Sequence, residues 1–209
     1  MRAHLVRHPR VCERIGHHRH IAENFNAFPE RNEDFWWVVD RWVGSTILEA
    51  QLQQGVFPTE RLPRLMHEIA LGLDALHAAN VVFRELAPSR VILAADDQRA
   101  VLTDFELAKL VDTGPTVSTS WPDDPYRAPE VEDATASERS DLYSWARVLL
   151  RVATGEELPE KGQDGDALTR VGLPKAVWRV ALDCLSPGPS DRPKSVKQVL
   201  RATAGWASK

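Results

Sequence analysis

One long segment near the middle of the chain carries apolar residues at helical spacing. Intervals of three and four residues separate Leu62, Leu65, Met66, Ile69, Leu73 and Leu76. A stripe of this kind predicts a helix with one buried face. Pro63 falls in the first turns, where proline is tolerated, and Thr59 is expected to cap the N-terminus of this helix.

A second amphipathic pattern spans residues 137–153 and ends before Gly155, a usual stop signal. Similar patterns predict shorter helices, which lie at 10–15, 46–54, 174–184 and 195–202. Residues 161–166 are polar and contain glycine, so we expect a flexible connector there.

Short apolar runs separated by polar turns indicate strands. They lie at 21–28, 35–39, 81–83, 91–93 and 101–103. A polar turn, 84–90, separates the third run from the fourth, and Asp104 follows the fifth. Strand, turn, strand and loop at this spacing bring carboxylates to the rim of one cleft. That layout is the one that a phosphoryl-transfer site requires.

Three motifs carry a resemblance to a known family. The chain reads Phe83-Arg84-Glu85-Leu86-Ala87-Pro88-Ser89-Arg90, then Asp104-Phe105-Glu106, then Ala128-Pro129-Glu130. In order and spacing these segments resemble the H-R-D-L-x-x-x-N, D-F-G and A-P-E motifs of the protein kinase superfamily. The resemblance is to bacterial-type serine/threonine kinases. It implies an α+β, protein-kinase-like fold with a mainly α-helical large lobe and a small β lobe.

The resemblance also implies where the two lobes meet. Residues 1–43 would form a truncated small lobe, with the end of a regulatory helix, two strands and the hinge, and residues 44–209 would form the helical large lobe. The hinge is expected at 40–44, where Asp40 and Trp42 would lie next to an adenine ring.

The site positions depart from the family pattern. By resemblance, Glu85 replaces the catalytic Asp, Ala87 the loop Lys, Arg90 the Asn that holds a second metal ion, and Glu106 the Gly after the metal-binding Asp. Arg84 and Glu85 are therefore the candidate catalytic positions, and Asp104 is the candidate metal ligand. The printed sequence contains neither a G-x-G-x-x-G loop nor a V-A-I-K strand. We expect no cofactor, or at most weak binding of ATP with Mg²⁺.

Three further positions are expected to be structural. By resemblance, Arg192 pairs with Glu130, and Asp141 accepts hydrogen bonds from the backbone around Phe83 and Arg84. The Ser/Thr-rich segment at 106–127 resembles an activation segment. Its hydroxyl residues are either phosphorylation sites or ordinary loop residues.

Composition narrows the classes of function. The chain has 209 residues and a net charge of −4, which argues against nucleic acid as a partner. No run approaches ~18 apolar residues, so no membrane span is expected, and the N-terminus lacks the apolar core of a signal peptide. Cys12 and Cys184 are interpreted as reduced core residues of a cytoplasmic protein. The histidines at 17, 18 and 20 indicate either a metal site or an exposed basic turn.

Three functional hypotheses remain. The first is a pseudokinase, which regulates or scaffolds other proteins by protein–protein contact. The second is an atypical ATP-dependent serine/threonine kinase whose small lobe is completed by another segment or chain. The third is a structural domain of a larger protein.

A partner is expected in the region 10–45. The two predicted strands there make only a ribbon, which is marginal alone in water, and they carry Phe25, Phe28, Phe35, Trp36 and Trp37. We interpret Trp36 and Trp37 as core residues rather than ligand contacts. The free edge and the apolar faces predict self-association or a protein partner.

Overall fold

The computed structural model describes residues 11–30, 36–55, 57–105, 108–111, 124–133 and 136–208. Its helices are α1 (residues 11–15), α2 (Leu48–Gln53), α3 (Leu62–Ala78), α4 (Glu138–Thr154), α5 (Asp164–Arg170), α6 (Lys175–Cys184) and α7 (Val196–Ala207). Its strands are β1 (Asn24–Pro29), β2 (Trp36–Asp40), β3 (Thr46–Ile47), β4 (Val81–Val82), β5 (Val91–Leu93), β6 (Ala100–Leu102) and β7 (Lys109–Leu110). No helix of these residues is both long enough and apolar enough to cross a bilayer.

The described strands form three small antiparallel sheets, ordered β1-β2, β3-β5-β6 and β4-β7. In the first sheet Phe28 lies opposite Trp37, and a bulge interrupts the pairing between Asn24 and Asn26. Helices form most of the remainder, so the fold is the expected α+β arrangement with a mainly helical large lobe.

The core is built around α3 and α4. Met66, Ile69 and Leu73 on the apolar stripe of α3 are fully buried. The indole Nε1 of Trp145 in α4 donates to the carbonyl of Met66 at 3.0 Å, which fixes the two helices together in the interior. Gly155 ends α4 at φ 68°, the left-handed conformation that favours glycine at a helix end.

Two predicted helix starts are wrong. Thr59 does not cap α3, because the N-cap is Arg61 and Thr59 lies in a turn whose carbonyl accepts from the N–H of Leu62. Thr46 and Ile47 form β3 rather than the first turn of α2, because their backbones pair with β5.

The predicted flexible connector is also wrong. Asp164 begins α5, is buried, and forms an ion pair with the guanidinium of Arg147 in α4. Arg147 also donates to the carbonyls of Pro125 at 2.8 Å and Pro159 at 2.9 Å. A buried charge needs such partners, so the polar residues of this segment are ordered by a contact distant in sequence.

The segment before β1 is anchored to the large lobe. His20 donates from Nδ1 to the carbonyl of Ala100 at 2.9 Å, and the N–H of Leu102 donates to the carbonyl of His20 at 2.9 Å. A Cβ on Gly72 of α3 would lie only 2.8 Å from Leu102 Cδ1 and 3.0 Å from His20 O, so a larger residue has no room. These contacts fix where the β1-β2 ribbon leaves the large lobe.

Two of the three histidines before β1, His18 and His20, are engaged in this anchor. The N–H of His20 donates to Nδ1 of His18, and burial lowers the pKa of His20. In the part of the chain that the structure describes, no group of three or more His, Cys, Asp or Glu side chains is placed to hold a metal ion.

Glu130 and Arg192 form a desolvated ion pair. The guanidinium nitrogens of Arg192 lie 2.6 and 2.9 Å from the two carboxylate oxygens of Glu130, and Ser140 Oγ donates to the same carboxylate at 2.7 Å. Burial acts to raise the pKa of Glu130, but the hydrogen bonds from Arg192 and Ser140 outweigh it and hold the pKa below its ordinary value.

We predict that Glu130→Ala destabilises the fold by roughly 2–5 kcal/mol, because it leaves the buried guanidinium of Arg192 without its carboxylate. Chemical denaturation measures this directly. Glu157→Ala, at an exposed position of the same lobe, is the control and should stay within about 0.5 kcal/mol of the unsubstituted chain. An unchanged denaturation midpoint for Glu130→Ala would contradict a structural role.

Candidate functional site

The site lies where two loops meet beside the β5-β6 pair. Residues 83–90 connect β4 to β5, and Asp104 follows β6. Val91 pairs with Leu102, and the N–H of Thr103 donates to the carbonyl of Arg90 at 3.1 Å. The antiparallel pairing therefore places Arg90 and Asp104 side by side at the same end of the two strands.

Arg90 is the cation at the centre of the site. Its Nη1 lies 2.5 Å from Asp104 Oδ2, and its Nη2 lies 3.8 Å from Glu85 Oε2. One guanidinium therefore lies within ion-pair distance of both carboxylates that the sequence predicted as site residues. Its positive charge faces both negative side chains.

The backbone around the site is held in an uncommon conformation. Arg84 has φ 74° and Asp104 has φ 63°, both in the left-handed region that non-glycine residues seldom adopt. Conformations of this kind cost of order 1–3 kcal/mol and persist only where the surroundings impose them. They set the direction of the chain between the end of β4 and Glu85, and between the end of β6 and Phe105.

Asp141 is the group that holds the loop in this conformation at Arg84. Its carboxylate is fully buried and accepts hydrogen bonds from the N–H of Phe83 at 2.9 Å and of Arg84 at 2.7 Å. His77 Nε2 lies 2.8 Å from the same carboxylate. Helix α3, the site loop and helix α4 are thereby joined at one buried anion.

His77 is the residue of this cluster that the sequence reasoning missed. It lies near the end of α3, one position after Leu76 of the apolar stripe, and is itself buried. One sequence signal could have identified His77 as a buried polar residue. It is a histidine at the end of a buried apolar stripe, four residues before β4. The identity of its acceptor could not be read from the sequence, because Asp141 is 64 positions away.

Two further side chains line the loop from the interior. Arg84 is buried, and burial lowers its pKa while the nearby carboxylates of Glu85 and Asp141 oppose that shift. Phe105 is buried against Phe83, with ring centroids 5.3 Å apart. Phe105 therefore packs into the core, although it directly follows the half-buried Asp104 of the site.

The predicted hinge residues lie at the end of β2. Asp40 accepts a hydrogen bond from Asn24 Nδ2 at 2.6 Å, and the side chain of Trp42 is largely exposed. The described contacts do not join either residue to Arg90 or Asp104. Trp37 is also exposed, so its interpretation as a core residue is wrong, because among the described residues nothing of the large lobe covers the outward face of the ribbon.

Some predicted positions cannot be compared with the structure. Glu106 and the hydroxyl residues between 112 and 123 lie outside the described residues. Their suggested roles stay predictions.

Comparison with known proteins agrees with this geometry. A family model described as the protein kinase domain matches residues 2–204. The chain therefore belongs to the protein kinase family.

The curated relatives are bacterial and plant kinases. The chain is 30% identical to serine/threonine-protein kinase PkaB of Streptomyces coelicolor, with 91% of this chain and 51% of the relative covered. It is 32% identical to serine/threonine-protein kinase PknJ of Mycobacterium tuberculosis, covering 74% and 27%. It is 29% identical to serine/threonine-protein kinase PEPKR2 of Arabidopsis thaliana, covering 86% and 34%. The chain thus spans between a quarter and about half of the length of these relatives.

We predict that Asp141→Ala destabilises the fold by roughly 2–5 kcal/mol, because two backbone N–H groups and His77 lose a buried acceptor. Denaturation followed by circular dichroism is the measurement. Asp166→Ala, an exposed aspartate in the first turn of α5, is the matched control and should leave the midpoint nearly unchanged. Equal denaturation midpoints for the two variants would show that Asp141 does not stabilise the loop at 83–90.

Proposed function

We propose that this chain is a pseudokinase, a kinase-fold protein that acts in the cytoplasm by regulating or scaffolding other proteins. The observation that carries the proposal is the position of Arg90, whose guanidinium hydrogen-bonds Asp104 at 2.5 Å and lies 3.8 Å from Glu85. A protein cation stands where a phosphoryl-transfer site needs a metal ion.

The residues present do not fit a catalytic Mg²⁺. That ion prefers octahedral coordination by carboxylates, waters and phosphate oxygens. Here Asp104 is engaged by Arg90, and a second carboxylate or amide at position 90 is replaced by a positive charge. A metal ion would have to displace the guanidinium and then tolerate it nearby, which Coulomb repulsion opposes.

The position of the general base is altered as well. Glu85 carries one more methylene than the Asp that the family pattern has there. Its carboxylate is therefore displaced by about 1 Å, and misplacement of that size can cost on the order of a hundredfold in rate. The side chain is mostly buried next to Arg90, which further limits its use as a base.

The alternative is an atypical serine/threonine kinase completed by another segment or chain. It is supported by the names of the relatives and by the retention of carboxylates at positions 85 and 104. It requires a phosphate-binding loop and a strand Lys from outside the printed sequence, and a movement of Arg90 away from Asp104.

We predict that the chain transfers no phosphoryl group from ATP, because the stabilisation of the transition state by metal and phosphate-binding groups is missing. Radiolabelled ATP with generic protein acceptors should give no product above an Asp104→Ala control. Incorporation that is lost in both Asp104→Ala and Glu85→Ala would favour the atypical kinase instead.

We also predict that Arg90→Asn raises the affinity for Mg²⁺ by on the order of tenfold, which corresponds to about 1.4 kcal/mol. The effect is modest because Arg90 and Asp104 are each 35% exposed and solvent screens the pair. Isothermal titration with MgCl₂, and thermal shifts with ATP in the presence and absence of Mg²⁺, give the two readouts.

Arg170→Asn is the control for this experiment, since Arg170 contacts an exposed carboxylate, Glu156, far along the chain from the site. It should bind Mg²⁺ as the unsubstituted chain does. The double variant Arg90→Asn, Asp104→Ala should lose the gain. Unsubstituted protein that binds Mg²⁺ as tightly as Arg90→Asn would remove the main support for the proposal.

A further inference from the structure

A cavity lies in the large lobe, between the β4-β7 pair, the first turn of α4 and the segment before α7. Its volume is about 310 Å³, and neither Arg90 nor Asp104 of the candidate functional site lines it. This volume is at the lower end of the range for small-molecule sites. At ~30 Å³ for each water-sized group, the cavity has room for a molecule of about ten non-hydrogen atoms.

One wall of the cavity is apolar. Val82 and Ala136 are buried there, whereas Val111 is 51% exposed. Lys109 lies directly opposite Val82 in the β4-β7 pair, so the two side chains share a face. An apolar group placed against this wall would remove Val111 and its own surface from water, which is favourable.

The polar lining is mostly cationic. Among the described lining residues, Lys109, Arg139 and Lys194 are accompanied by one acid, Glu138. The guanidinium of Arg139 is engaged, because its Nη1 donates to the carbonyl of Pro189 at 2.9 Å. Neither lysine forms an ion pair with another described residue. The described part of the cavity therefore has two positive charges available for an anion.

The start of helix α4 adds to this positive charge. The first N–H groups of a helix have no acceptor within the helix and carry a partial positive charge. In α4 these groups follow Ser137, the N-cap residue, which also lines the cavity. An anion at this position is therefore favoured by the backbone as well as by the two lysines.

A buried histidine at the edge of the cavity has an unpaired nitrogen. The Nδ1 of His77 has no hydrogen-bond partner among the described residues, although His77 is only 7% exposed. The nearest carboxylate oxygen given for it, Oε2 of Glu138, lies 3.9 Å away, beyond hydrogen-bond distance. Glu138 lines the cavity, so the unpaired nitrogen is on the side of the ring that faces it. A buried polar atom in this state indicates a missing polar partner.

We propose that this cavity binds a small amphipathic carboxylate, an organic acid with a short aromatic or aliphatic body. The carboxylate lies between Lys109 and Lys194 at the start of α4, and the body lies against Val82, Val111 and Ala136. An inorganic anion would leave Val111 exposed, and a neutral apolar molecule would leave both lysines without a counter-charge. The site does not depend on whether the chain transfers phosphate.

The cavity is also next to the buried carboxylate of Asp141. Val82 precedes Phe83, whose N–H donates to Asp141, and Glu138 lies one helical turn before Asp141 in α4. A ligand in the cavity therefore contacts both of the elements that Asp141 joins. Its binding is expected to change the amide environment of Phe83 as well as that of the lining residues.

Nuclear magnetic resonance titration of the isotope-labelled chain with 3-phenylpropionate, at low ionic strength, tests the proposal. We expect a dissociation constant of the order of 1 mM, as the size of this ligand allows. The amide signals of Val82, Phe83, Lys109 and Val111 should shift most. The uncharged 3-phenylpropionamide should bind at least fivefold more weakly, and inorganic phosphate should bind more weakly than 3-phenylpropionate because it covers none of the apolar wall.

Two lysine variants test the role of the cations. Lys109→Gln and Lys194→Gln should each weaken the binding of 3-phenylpropionate about threefold, an effect of the size expected for partly solvated charges. Lys197→Gln is the matched control, since Lys197 is an exposed lysine of α7 that does not line the cavity. It should bind 3-phenylpropionate as the unsubstituted chain does. Circular dichroism shows whether each variant remains folded.

Four results would overturn the proposal. These are the absence of amide shifts at tens of millimolar 3-phenylpropionate, equal affinities for the acid and its amide, tighter binding of inorganic phosphate than of the acid, and equal losses in Lys194→Gln and Lys197→Gln. Phosphoryl transfer by a chain that binds 3-phenylpropionate in this cavity would contradict the pseudokinase function and leave the site standing. An inactive chain that does not bind the acid would do the reverse.

Discussion

The carboxylate of Asp141 is the constraint on which the rest of this structure depends. It is fully buried and receives hydrogen bonds from Phe83, Arg84 and His77, so one anion joins α3, the loop at 83–90 and α4. A buried charge is tolerated only when its hydrogen bonds are complete. The loop is therefore held in its left-handed turn at Arg84, whatever side chains stand further along it.

Because of this constraint, the backbone of the site is held independently of the side chains of Glu85 and Arg90. The backbone that presents positions 85, 90 and 104 is supported from below by Asp141, and from the side by the pairing of β5 with β6. Neither support involves the side chains of Glu85 or Arg90. Substitution at those two positions can change the charge of the site without loosening the fold. A family scaffold can then carry an internal guanidinium–carboxylate pair at this site.

In the small lobe, the β1-β2 ribbon is held by one anchoring contact and is covered on one face. The anchor between His20 and the β6 strand fixes the start of the ribbon, and Gly72 allows the close approach of the two parts. Beyond that anchor, among the described residues, the ribbon receives apolar cover on its inner face only. The exposed Phe28–Trp37 pair follows from this geometry, because alternate residues of a strand must point to opposite faces.

The sequence by itself determined the family, the long helices and the order of the site residues, since helical periodicity and motif spacing are local properties. It also indicated that Arg90 brings a positive charge to the site. Tertiary structure decided what that charge touches, because the contact to Asp104 spans 14 residues and depends on the pairing of two strands. The same holds for Asp164, whose polar surroundings indicated a mobile connector until Arg147 supplied its buried partner. It holds also for Trp37, whose exposure depends on what packs against the ribbon and not on its own apolar character.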